Sequence, residues 1–321
     1  MQPYKCFILD DYQTVAKKMA DWTQLPDSIS VHTLHSPVSS PEQLVVLLKE
    51  ANILVVMRER TAITRQLLSQ LPLLKLIVTS GMRNASIDIA AATELGITVC
   101  GTESSSVPPA ELAWGLLLAL ARQICSESSA LTTNGPWQSS LGMTLQGKKI
   151  GIIGLGKTGK IIARYAQAFG MDVYAWSSNL TEAQAQQQGV TYVASKKQIL
   201  QLADVITLHL VSSPRSHGMI SYSDLQQMKK TALLINTSRA ELIAEGALIK
   251  ALENGDIAGA AIDVFEQEPL PAGSAYRQTR NLLATPHLGY VSDTNYHTYF
   301  GQAIENIRGW LDGEPVRCLA D

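Results

Sequence analysis

The stretch GIIGLGKTGK, residues 151–160, puts four glycines into ten positions between two apolar runs. Glycine at that density weakens any helix or strand, so something must approach the backbone closely there. The spacing Gly154-x-Gly156-x-x-Gly159 suits the pyrophosphate of a dinucleotide. In that reading Gly154 permits a tight turn, Gly156 lets the phosphates reach the backbone, and Gly159 lets a helix pack on the sheet. The helix N-terminus then offers unpaired N–H groups and a positive dipole end. Leu155, Lys157 and Thr158 complete the loop and are cofactor-contact candidates with the glycines. A P-loop does not fit, because GKT at 156–158 lacks the required preceding spacing.

A dinucleotide site often carries an acid at the end of the second strand, where it holds the adenosine ribose. Asp172 opens the run MDVYAW and so stands at the wrong end. The other end carries Ser177, Ser178 and Asn179, with neither a carboxylate for two ribose hydroxyls nor an arginine for a 2′-phosphate. Ser177 and Asn179 are the candidates there. NAD against NADP stays open, with NAD slightly favoured. Cys6, Cys100, Cys125 and Cys318 form no CxxC, and no His, Cys and acid cluster has metal-ligand spacing, so no metal is expected.

The surrounding elements fit this placement. KCFILD, ANILVVM, LLKLIVTS and ITVCG read as strands of a first module, with helices at SPEQLVVLLKE and SIDIAAATELG. A short hinge is expected near Gly101 and TESSSVPP, and AELAWGLLLALARQI follows as a long helix. Then KKIGIIG, MDVYAW, ADVITLHL, ALLINTS and GAAIDVF read as strands alternating with helices, the rhythm of a doubly wound parallel sheet. TNYHTYFGQAIENIRGWLDG is a last helix whose periodicity does not say which module it joins. Trp137, in NGPWQ, is expected to anchor packing.

A chain of 321 residues with 46% hydrophobic and 17% charged residues is globular and long enough for two domains. Its net charge of -2 gives no electrostatic reason for a nucleic acid or anionic membrane partner. The longest nearly apolar stretch, ELAWGLLLALA, is too short to cross a bilayer. MQPYKCFILDD reads as a first strand rather than a signal peptide, and a cytoplasmic location is expected.

Beyond the glycine turn, the chain resembles the D-isomer-specific, NAD-dependent 2-hydroxyacid dehydrogenases over nearly all its length. The likeness rests on separated words: GIIGLGKTGK, then LLINTSRAELIAEGALIKAL, IDVFEQEPL and ATPHLGYVS. It implies that Arg239 is the substrate arginine, His287 the catalytic histidine, and Glu268 its carboxylate partner. Ser80 and Gly81, in TSGMRNASID, would present backbone amides to the substrate carboxylate. His209 and Leu210 would line the adenine side. Ser213 and Ser216, in VSSPRSHGMI, would face the cofactor together with Thr237, and Asp263 would bind the nicotinamide amide. One departure from the pattern is Ala240, where a glycine commonly follows the arginine.

The resemblance also implies two Rossmann-like or flavodoxin-like α/β domains with an active-site cleft between them. Residues 1–101 plus 288–321 would bind substrate and 102–287 the dinucleotide, in a homodimer. Hydride would pass reversibly between NAD(P)H and C2 of a small 2-keto or D-2-hydroxy acid. Arg239 would hold the carboxylate and His287, with its reference pKa of about 6.5, would move the proton. The alternatives are a short-form D-3-phosphoglycerate dehydrogenase and a non-enzymatic NAD-sensing, corepressor-like scaffold. The chain ends at Asp321 directly after the last helix, so the long serine-pathway form with an added C-terminal regulatory domain is not expected.

Overall fold

The computed structural model describes residues 3–38 and 40–319. They form two compact units, Met1–Ser105 with Val291–Asp321, and Ser106–Tyr290.

The first unit is a five-stranded parallel sheet in the order β2-β1-β3-β4-β5. Its strands are β1 (Tyr4–Ile8), β2 (Ile29–Thr33), β3 (Ile53–Val56), β4 (Leu76–Thr79) and β5 (Thr98–Gly101). This is the flavodoxin-like order. The central strands β3 and β4 are buried throughout because helices cover both faces, which is why ILVV and LIVT show no polar alternation. Helix α1 is Ala16–Met19, α2 Pro41–Leu48, α3 Arg65–Leu68 and α4 Ile89–Glu94. Capping fixes where two of them start. Ser40 and Pro41 open α2, and the Asp88 carboxylate accepts the Ala91 N–H at 2.8 Å to open α4. Val46 and Leu47 of α2 remain exposed.

The last helix, α12 (Asp293–Leu311), belongs to this unit and packs on α1 and β4 through buried Tyr299, Phe300, Ala303 and Ile307. Residues 103–105 are tied to it. Gln302 Oε1 accepts the Glu103 N–H at 2.7 Å, Ser104 Oγ meets Tyr299 Oη at 2.8 Å, and Asn295 Oδ1 accepts the Ser105 N–H at 2.9 Å.

The second unit is a seven-stranded parallel sheet in the order β12-β11-β10-β9-β6-β7-β8. Its strands are β6 (Lys149–Ile153), β7 (Asp172–Trp176), β8 (Thr191–Tyr192), β9 (Val205–Leu208), β10 (Leu233–Asn236), β11 (Gly259–Ile262) and β12 (Leu282–Ala284). The helices are α5 (Val107–Ala121), α6 (Ile124–Thr132), α7 (Lys157–Ala168), α8 (Glu182–Gln186), α9 (Lys196–Leu202), α10 (Tyr222–Leu225) and α11 (Ala247–Glu253). The chain runs outward from β6 through β7 to β8, then returns to the other side of β6 with β9. The order therefore reverses between β6 and β9, the switch point where doubly wound sheets bind their ligands.

Both units are parallel-sheet α/β folds, as expected. Three short strands were not anticipated. Strands β2, β8 and β12 lie at sheet edges: β2 carries polar residues among its apolar ones, and β8 and β12 are only two and three residues long. Trp137 does not anchor packing: it is 79% exposed. The division between units at Tyr290 and Val291 follows a physical bond, because Leu288 and Gly289 are fastened to Asp263 in the second unit. Among the described residues, no helix is long and apolar enough to cross a membrane.

Candidate active site

At the C-terminal end of β6 the three glycines have three different surroundings. Gly154 sits at φ +102°, and a Cβ there would lie 2.4 Å from the His209 carbonyl oxygen. A Cβ on Gly159 would lie 2.1 Å from the Gly154 carbonyl oxygen, so α7 docks against the turn with no room for a methyl. Gly156 has nothing within 4 Å of that position and caps the N-terminus of α7. Close packing on two sides and open space at the helix N-terminus make a cradle for a phosphate group. The residues present therefore fit a dinucleotide. Leu155 is buried, Lys157 exposed and Thr158 half-buried around this turn.

The neighbouring switch-point strand ends in Thr207 and Leu208, and His209 follows it. His209 Nε2 meets Thr207 Oγ1 at 2.8 Å, while Nδ1 is buried without a hydrogen-bond partner among the described residues. Burial pushes the imidazole pKa down to about 4, so the ring is neutral at pH 7. Leu210 follows, half-buried. The next loop is shaped by Ser216. Its hydroxyl accepts the Ser213 N–H at 2.8 Å and contacts the carbonyls of Val211 and Ser213 at 2.9 and 3.1 Å. Ser213 Oγ lies 3.1 Å from Ser216 Oγ. Ser216 is buried and engaged within its own loop. At the end of β7, Ser177 is half-buried and Asn179 exposed, and Asp172 stands at the opposite end of that strand.

Arg239 follows β10 and caps a short 3₁₀ turn, Ala240–Leu242. Its position is fixed by the strand end. Asn236 Nδ2 donates to the Arg239 carbonyl at 2.9 Å, and Asn236 Oδ1 accepts the Ser238 N–H at 3.1 Å. Ser238 Oγ donates to the Leu208 carbonyl at 2.7 Å, and Arg239 Nη1 to the Ser238 carbonyl at 2.8 Å. Thr237 lies half-buried on the same segment. Ala240 is buried and keeps a negative φ, so its methyl is accommodated where a glycine is common.

The Glu268 and His287 side chains meet directly. Glu268 Oε2 lies 2.6 Å from His287 Nδ1, and Glu268 Oε1 accepts the Phe265 N–H at 2.9 Å. Both side chains are about a quarter exposed, at 29% and 24%. The His287 ring packs edge-on to Tyr290, with centroids 5.5 Å apart. With Nδ1 engaged by the carboxylate, the ring directs Nε2 away from Glu268. His287 adopts a left-handed backbone at φ +54°, a conformation that few non-glycine residues hold without support.

The support comes from Asp263, the residue expected to bind the nicotinamide amide. This carboxylate is fully buried at the end of β11. Oδ1 accepts from Thr285 Oγ1 at 2.6 Å and the Leu288 N–H at 2.7 Å, and Oδ2 accepts the Gly289 N–H at 2.7 Å. Burial pushes its pKa up, and Thr285, the Leu288 N–H, the His287 charge and the Gly289 N–H pull it back only in part. Thr285, Leu288 and Gly289 lie in the stretch ATPHLGYVS, but none was given a role of its own there. The signal was the threonine two residues before His287.

Ser80 and Gly81 lie in the first unit, after β4. Ser80 Oγ accepts the Arg58 N–H at 2.8 Å, and Thr102 Oγ1 accepts the Gly81 N–H at 2.9 Å. Gly81 has φ +89°, and a Cβ there would meet the Arg58 guanidinium. The Gly81 amide is thus engaged within its own unit.

A doubly wound sheet with a glycine turn at its switch point defines a dinucleotide-binding protein. Residues 114–289 match the family described as D-isomer specific 2-hydroxyacid dehydrogenase, NAD binding domain, and the chain belongs to that family. It is 36% identical over 276 residues to a D-3-phosphoglycerate dehydrogenase of Methanocaldococcus jannaschii, covering 85% of this chain and 52% of that one. It is also 36% identical over 262 residues to a glyoxylate reductase of Thermococcus litoralis, covering 78% of each. A phosphoglycerate oxidoreductase from Vibrio cholerae has a crystal structure that superposes with a TM-score of 0.93 at 38% identity, over 97% of this chain and 99% of that one. The chain spans about half the length of the phosphoglycerate dehydrogenases it matches.

Proposed function

We propose that this protein transfers hydride reversibly between NAD(P)H and C2 of a small 2-keto or D-2-hydroxy acid. The observation that carries the reading is the 2.6 Å contact of Glu268 with His287, held on a left-handed residue by a buried latch. When bound, the dinucleotide supplies the hydride. The α7 N-terminus and the Gly154–Gly159 turn hold its pyrophosphate, and Ser177 and Asn179 its adenosine ribose. Arg239 binds the substrate carboxylate through its planar fork. His287 Nε2 gives its proton to the carbonyl oxygen during reduction and takes it back during oxidation. Glu268 fixes the ring orientation and stabilises the charged imidazolium.

The same proposal includes a cytoplasmic homodimer. Support for self-association comes from α6 and the segment after it, where Ile124, Leu131, Trp137 and Leu141 are exposed, the last two at 79% and 99%. Light scattering is expected to give twice the chain mass of 34.8 kDa. A mass of one chain would reject the dimer. Function is tested by the absorbance of reduced nicotinamide, with NADH and with NADPH, across glyoxylate, pyruvate, hydroxypyruvate and 3-phosphohydroxypyruvate. Turnover of at least one is expected, and the ratio between cofactors reports what Ser177–Asn179 recognise.

A further inference from the structure

Cys100, in β5, and Cys318 form an isolated antiparallel bridge. The Leu319 N–H donates to the Val99 carbonyl at 2.8 Å, and the Gly101 N–H to the Arg317 carbonyl at 2.8 Å. These bonds flank the two cysteines rather than joining them, which makes Cys100 and Cys318 a non-hydrogen-bonded pair. In such pairs the Cα atoms lie about 4.5 Å apart and the side chains leave the same face. A disulfide accepts Cα separations of about 4.4–6.8 Å. The two Sγ atoms are 4.0 Å apart, so bond formation needs side-chain rotation and no change of backbone register. That register is pinned from α12: Asn306 Nδ2 donates to the Gly101 carbonyl at 2.8 Å, and Arg317 Nε to Asn306 Oδ1 at 3.0 Å.

We propose that Cys100 and Cys318 are a redox-modification site that a low-molecular-weight disulfide, of the glutathione type, closes into an intrachain bond. Cys318 is exposed and Cys100 buried, which sets the order of events. The Cys318 thiolate attacks one sulfur of the oxidant, whose other half leaves as a thiolate. Cys100 then loses its proton, attacks Cys318 Sγ and displaces the second half. Two protein thiols are oxidised and one small disulfide is reduced to two thiols, so atoms and electrons balance. Burial pushes the Cys100 thiol up to about 12, with Cys318 adding to the shift and Arg317 pulling it partly back. The second step is therefore the slow one and accelerates with pH.

The bond would join positions 218 residues apart in sequence. It would also fasten the strand end against which Gly81 is built. A Cβ on Gly101 would lie 2.7 Å from the Gly81 carbonyl oxygen, and Thr102 Oγ1 holds the Gly81 amide.

The test uses the full chain with Cys125→Ser, which removes the other exposed thiol. After incubation with oxidised glutathione, free thiols are trapped by alkylation and peptides are mapped. The expected result is a 100–318 linked peptide, Cys6 as the one remaining free thiol, and a melting temperature raised by a few degrees that reverts with dithiothreitol. Cys318→Ser, an exposed change that leaves the fold intact, should abolish both the linked peptide and the shift. A persistent glutathione adduct on Cys318, or both thiols still alkylated, would overturn the proposal. None of these readouts depends on the protein's enzymatic activity.

Discussion

Replacing Asp263 by Asn tests whether this carboxylate holds the His287 loop. The wild-type group accepts three hydrogen bonds at 2.6–2.7 Å in a fully buried site. With Asn, Oδ1 can still accept from Thr285 and Leu288, but an NH₂ group replaces the oxygen facing the Gly289 N–H. Two donors then oppose each other, and an unsatisfied buried donor costs about 1–3 kcal/mol. Loss of charge assistance at the other two bonds adds to this, while removal of a buried charge offsets part of it. The net is about 2 kcal/mol, or about 4–8 °C in melting temperature for a unit of this size. Amide exchange at Leu288 and Gly289 should accelerate, and kcat should fall about 10–100-fold as His287 loses its support.

The pH dependence carries a sign. Burial raises the Asp263 pKa in the fold, so its stabilising contribution is complete below the ordinary value of 3.8 and is lost as pH rises through the folded value. Asn does not titrate. The stability gap between wild type and variant should therefore be widest in acid and narrow toward neutrality. Unchanged exchange at Leu288 and Gly289, with a melting temperature within a degree of wild type, would refute the latch.

Gly159→Ala forces a methyl to 2.1 Å from the Gly154 carbonyl oxygen, and differential scanning calorimetry should show a loss of about 1–3 kcal/mol. Gly156→Ala enters open space, so the fold should melt normally while NADH fluorescence titration shows about tenfold weaker binding. Glu268→Gln keeps an acceptor for the Phe265 N–H but removes the charge beside His287, and kcat should drop about 100-fold with dinucleotide binding intact. His209 is depressed from 6.5 to about 4, so the stability it supports is present above pH 6.5 and lost as pH falls through 4. Urea titrations over that range should show about 3 kcal/mol less acid sensitivity in His209→Gln.

The central strands were readable because burial on both faces demands uninterrupted β-branched and aliphatic runs, as in Ile53–Val56 and Leu233–Ile235. Strand ISVHT escaped notice because an edge position requires no such run, and LLA because three residues are too few to stand out. The glycine turn was legible for a related reason. Each backbone approach excludes a side chain, so absence of Cβ marks the sequence at 154 and 159. The Asp263 latch left no comparable mark. Two of its three partners are backbone amides, which any residue supplies, and the positive φ of His287 is a property of the folded loop alone. The Cys100 and Cys318 pairing was equally hidden, since nothing in sequence spacing brings positions 218 apart into one bridge.

In the proposed reaction His287 moves the proton when hydride reaches C2. The most direct measurement is a single-turnover decay of reduced-nicotinamide absorbance on mixing the loaded protein with the best 2-keto acid, in wild type and in His287→Gln. Decay should be rapid in wild type and slower by about 10²–10⁴-fold in the variant, with dinucleotide affinity unchanged. Equal rates would contradict this role of His287. Binding of the dinucleotide with no decay in either protein would favour a non-enzymatic, nucleotide-sensing scaffold.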